Sequence, residues 1–220
     1  MNIQDIIYFV LLMAAIILYL IAARNKQYFS NTILAYLVLV LITSILAVYM
    51  RIGAHNNLFL FHIYTPIEYT ILSLLYRHAI TGALLKKIIT TSIPFFIILS
   101  IVFSAFVQKP DENNSFITII ESLLILCWSL FYLREILLLQ QVTHLQWFPM
   151  FWICVGILFC KTGHLITEGM LNYLVKHSIQ LAKQVYSFTY VFKYLSFILL
   201  MIGAWCQIAF KDLANPEKAG

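Results

Sequence analysis

The chain has 220 residues, of which 62% are apolar and 10% charged, with a formal net charge of +5. An ordinary soluble domain carries about 25% charged residues, so this composition excludes a soluble globular fold and points to an all-α integral membrane protein. The surplus of basic residues does not indicate nucleic acid, because they are scattered over short connectors between apolar runs.

The first run, "DIIYFVLLMAAIILYLIAA" (residues 5–23), is long enough to cross a hydrocarbon core of about 30 Å at 1.5 Å per residue. Asp5 is its only flanking charge before residue 24, and a secretory leader would place basic residues there. It is therefore expected to stay as a spanning helix. Six further runs follow, at 31–50, 58–76, 88–107, 115–138, 148–168 and 186–209. Together they predict a seven-transmembrane-helix bundle over 1–210, with 211–220 as a short tail. The connectors, the longest being 169–185, leave no space for a soluble catalytic or DNA-binding domain, so the function is expected in the bundle or in a separate partner protein that carries output. Cys127, Cys154, Cys160 and Cys206 all lie within apolar runs, which suggests neither a disulfide frame nor a zinc site.

Lys and Arg set the expected orientation. Arg24, Lys26, Arg77, Lys86, Lys87, Arg134, Lys211 and Lys218 fall at one end of the bundle. Arg51, Lys109, Lys176 and Lys183 fall at the other, beside Asp5, Asp111 and Glu112. The positive-inside rule then puts the N-terminus outside and the C-terminus in the cytoplasm, as a multi-pass protein of the cell membrane.

The polar residues inside the runs converge on one leaflet, and the other half of the bundle is mostly Leu, Ile, Val and Phe. On this topology the third span places His62 about 6 Å and Glu68 about 15 Å below the outer edge, and the fifth places Glu121 about 9 Å deep. In the sixth span, Lys161, His164 and Glu168 share one face by helical spacing; in the seventh, Tyr186, Tyr190 and Lys193 do the same. An isolated charge in hydrocarbon costs at least about 2.5–3.5 kcal/mol, so Glu68 is expected to meet a cation from another span, either Lys161 or Lys193. Bland roles remain open: a structural ion pair, snorkelling of Lys161 and Glu168 to the interface, or an aromatic belt for Tyr186 and Tyr190.

The candidate ligand-binding residues are His62, Glu68, Glu121, Lys161, His164, Tyr186, Tyr190 and Lys193, with no metal and no cofactor expected. The leading reading is a sensor or carrier that holds a small polar or amphipathic ligand in a pocket in the outer half of the bilayer. A transporter with unwound helices would need matched Gly or Pro breaks, and the chain has 7 Gly and no matched partner for Pro66 and Pro94. Retinal on Lys193 with Glu68 as counter-ion fits the span positions, but "TYVFKYLSF" (189–197) resembles neither rhodopsin group. The alternative class is an enzyme acting on an apolar lipid or isoprenoid, with Glu68 as general acid. Here "PIEY" (66–69) resembles the Pro-x-Glu-Glu motif of the integral-membrane carotenoid lycopene cyclases. The likeness covers Pro66 to Glu68, and Tyr69 replaces the second acid. It implies a small multi-span protein that protonates a polyene.

Overall fold

The computed structural model describes residues 3–24, 28–53, 56–109, 112–138 and 145–209. Lys26, Asp111 and the tail from 210, with Lys211 and Lys218, lie outside the described residues. Seven α-helices fill the rest: α1 (Ile3–Ala23), α2 (Tyr28–Ile52), α3 (Phe59–Ala79), α4 (Ala83–Phe106), α5 (Ser115–Leu138), α6 (Pro149–His177) and α7 (Ile179–Ala209), with a 3-10 turn at Leu145–Trp147. Six of the seven (all but α3) are long and apolar enough to cross a membrane. In hydrocarbon a helix is favoured because it satisfies its own backbone N–H and C=O groups.

α3 has spanning length, yet its apolarity is diluted by His62, Thr65, Pro66, Glu68 and Thr70. The helix tolerates them through its neighbours and its own backbone. Thr65 and Thr70 donate their hydroxyls to the carbonyls of Phe61 and Pro66, and His62, Thr65 and Glu68 are buried. At its start, Asn56 Oδ1 accepts from the Leu58 amide at 2.9 Å.

The helices form a closed ring in the order α1, α2, α3, α5, α6, α7, and α4 stands outside it against α3. That position explains the lipid-like surface of α4, where Phe95, Ile98, Ile101 and Phe106 are all exposed. The tightest seam joins α6 to α7. A Cβ on Gly163 would stand 2.6 Å from both Cβ and Cγ of Phe192, and one on Gly156 would stand 3.2 Å from the carbonyl oxygen of Ser196. Small residues let helix backbones approach in this way.

One expectation is corrected. The sequence places residues 169–185 in a connector, but α6 continues to His177 and α7 begins at Ile179. The stretch lacks proline, and the break is confined to Ser178, whose backbone is extended. The Ser178 amide donates to the Leu174 carbonyl, and its hydroxyl oxygen accepts from the Leu181 amide, so one residue closes one helix and caps the next. The two helices are about 44 and 46 Å long at 1.5 Å per residue, more than the hydrocarbon core requires.

The half of the bundle away from the polar cluster, read from the sequence as mostly Leu, Ile, Val and Phe, also holds buried hydroxyls that cross-link it. Tyr19 donates to the Leu200 carbonyl at 3.0 Å, Ser30 to Gln207 Oε1 at 2.5 Å, and the Tyr76 hydroxyl lies 2.7 Å from Ser129 Oγ. Tyr69 bonds Ser92 of α4 and packs its ring on Phe96. These bonds join helices whose apolar faces would otherwise gain little by packing on each other rather than on lipid.

Candidate functional site

Lys161 on α6 lies at the centre of the polar cluster, with no solvent exposure. Its Nζ donates to Glu121 Oε1 of α5 at 2.7 Å and sits 2.9 Å from Glu68 Oε1 of α3. The second contact is ionic without hydrogen-bond alignment, because Oε1 of Glu68 receives no donor in bonding geometry. Glu68 and Glu121 are as deeply buried as the lysine. Two carboxyl groups on two helices therefore share one ammonium on a third. Buried charges persist only where they are paired in this way. Lys161 does not snorkel, and of the two lysines open to Glu68 in sequence, Lys161 is the one in contact.

Above this trio the ring encloses a cavity of about 960 Å³. Its wall comes from the N-terminal halves of α1 and α3, α2 from Tyr36 to Arg51, α6 from Cys160 to Glu168, α7 from Tyr186 to Phe197, Gln108, Glu112 and Asn113, and the start of α5. From Leu58 near its mouth to Glu68 at its deep end is about 15 Å along α3. Asp5 and Arg51 approach to 3.8 Å at the mouth, and Asp5 also accepts the Tyr190 hydroxyl at 2.9 Å. Glu168 accepts from Asn113 Nδ2 at 2.9 Å. Tyr8 donates to or accepts from Ser44 across the α1–α2 seam at 3.0 Å.

The eight residues singled out by sequence divide among three places. Glu68, His164, Tyr186, Tyr190 and Lys193 line the cavity. Lys161 and Glu121 lie behind its deep end, where they reach it only through Glu68. His62 stands apart: its ring bonds Ser104 Oγ at 2.7 Å and the Glu112 carbonyl at 3.2 Å, so it ties α3 to α4 and to the segment before α5. His62 and His164 therefore do not converge. Among the described residues, no three His, Cys, Asp or Glu side chains are arranged to hold a metal ion.

Sequence reasoning missed the contribution of the first two helices. Tyr8, Tyr36, Val40 and Ser44 all line the cavity. In sequence these residues are submerged in continuous apolar runs, where tyrosine reads as one more hydrophobe. The usable signal was depth: Tyr36 lies well inside its run rather than at an interface, and a buried tyrosine tip looks for a polar partner.

Comparison with known proteins gives no match: no protein family, no curated protein and no solved structure is significantly similar to this chain.

Proposed function

We propose that this chain is a seven-span cell-membrane protein, with its N-terminus outside, that binds a small polar or amphipathic ligand as a sensor or carrier. The observation that carries the reading is the cavity of about 960 Å³, which penetrates the ring as far as Glu68. Its size falls within the range of about 300–1,000 Å³ typical of ligand pockets, and its wall interleaves apolar side chains such as Phe9, Val40, Phe61 and Phe197 with many polar and charged ones. Membership of α3 among the spans is supported by its 21 residues and its place in the ring between α2 and α5. The orientation is supported by Arg24, Arg77, Lys86, Lys87 and Arg134 at the end opposite the cavity.

The alternative, catalysis on an apolar lipid or isoprenoid with Glu68 as general acid, draws on the place of Glu68 at the deep end of the cavity. The ion contact with Lys161 weighs against it. Mass spectrometry of small molecules retained through mild-detergent purification tests the binding reading, with Thr43→Trp as a control that fills the cavity from α2. A molecule held by the wild-type chain and lost from folded Thr43→Trp protein is expected. Identical small-molecule content in the two proteins counts against a ligand site, and retention of a polyene together with a protonated or cyclised product would favour the enzyme.

A further inference from the structure

We propose, resting on the ligand-binding reading, that the ligand is an organic anion with an apolar body and that Lys193 is the seat of its charge. Lys161 and Lys193, both inside the bundle, have opposite surroundings. Lys161 has carboxylate oxygens at 2.7 and 2.9 Å. Lys193, on α7, has none within 4.0 Å among the described residues. Its Nζ lies over the rings of Tyr8 and Tyr190, 5.7 and 6.0 Å from their centroids.

A lysine at this depth costs at least about 2.5–3.5 kcal/mol to insert, and a cation–π contact returns about 0.5–2 kcal/mol. The remainder calls for an anion. The carboxylates along the wall are committed elsewhere: Glu68 to Lys161, Asp5 to Arg51 and Tyr190, and Glu168 to Asn113. Glu112 is exposed at the mouth. Among the described residues no acid contacts Lys193, and Glu68 acts on it only through its charge at longer range; His164 lines the same cavity and makes no hydrogen bond to a described residue, so it can add a second donor.

The rest of the wall argues for the apolar body. Phe9, Val40, Phe61 and Phe197 face the cavity, and a space of about 960 Å³ is far larger than an inorganic anion fills. A carboxylate or phosphate on an aliphatic or aromatic body satisfies both demands. Such an anion could arrive as a free acid or as the headgroup of a membrane lipid.

The probe is tritiated decanoate, measured on the full chain in nanodiscs of zwitterionic phosphatidylcholine. Saturable binding is expected, with decanol, decyltrimethylammonium and acetate competing at least about tenfold more weakly than unlabelled decanoate. Lys193→Gln is expected to weaken decanoate binding by about tenfold or more, the loss of a charge-assisted contact, with an unchanged unfolding temperature. Should Lys193→Gln fail to fold, the wild-type selectivity series alone decides. Displacement of decanoate in nanodiscs containing phosphatidylglycerol would identify the anion's source as lipid; its persistence there would identify a free acid.

Equal competition by decanol, preference for the cation, or decanoate binding by folded Lys193→Gln at wild-type strength overturns the anion seat and leaves the ligand site standing. Absence of saturable decanoate binding also overturns it. The ligand site itself then stands or falls on the co-purification experiment.

Discussion

Replacing Lys161 by methionine removes the one cation shared by Glu68 and Glu121 while keeping an unbranched side chain only one atom shorter. At an effective dielectric near 20, each contact of just under 3 Å amounts to about 6 kcal/mol of gross attraction. Most of that offsets the withdrawal of three charges from water, and removal of one partner from a buried pair costs about 3–5 kcal/mol net. The same arithmetic makes the site asymmetric. Lys161→Met leaves two carboxyls facing each other, 2.7 and 2.9 Å from the lost ammonium, whereas Glu121→Gln leaves one carboxylate to one ammonium. A reversible unfolding titration with SDS in mixed micelles measures both. Lys161→Met should lose about 3–5 kcal/mol, and Glu121→Gln should stay within about 1 kcal/mol of wild type. The triple variant Glu68→Gln, Glu121→Gln, Lys161→Met should recover most of the loss, since a site with no charge has none to desolvate. A Lys161→Met protein as stable as wild type, or a Glu121→Gln protein as damaged as Lys161→Met, would refute the reasoning.

Gly163→Ala should destabilise by about 1–3 kcal/mol, because its new Cβ would meet Phe192 at 2.6 Å, close to the α7 backbone; the same titration reads it, and an unchanged midpoint would mean that the α6–α7 seam is looser than it looks. Tyr76→Phe should cost only about 1 kcal/mol, since Ser129 keeps its own bond to the Ile125 carbonyl and no donor is orphaned; a loss of several kcal/mol would assign Tyr76 a larger part in the core. Cysteine placed at Asn57, beside the cavity mouth, should react with a membrane-impermeant maleimide on intact cells, whereas cysteine at Thr81 at the opposite end should not; the reverse pattern would invert the proposed orientation.

Much of the architecture was legible in the residues alone. A run such as 5–23 has few folded alternatives to a spanning helix, because hydrocarbon offers its backbone no partner but itself. That Glu68 must meet a cation followed from the same desolvation cost, whatever the arrangement of helices. The end of α6 was harder to place. Residues 169–177 carry the mixed polarity of a connector, yet nothing in them forbids a helix, and the break at Ser178 depends on the conformation of that one residue.

Only the tertiary structure decided which cation serves Glu68. Depth along a span follows from residue number, but the rotation of a helix about its axis and the identity of its neighbours do not. α3 lies against α5 in the ring and α5 against α6, so Glu68 and Glu121 converge on Lys161 and leave Lys193 among tyrosines. The same rotation turns His62 toward Ser104 and away from the cavity that Glu68 lines. It also brings Tyr8 and Tyr36 to the wall from helices whose sequences are nearly uniform in hydropathy. A uniform run can bury any of its faces against lipid or protein at similar cost, and the face that turns inward is settled by what the other helices present to it.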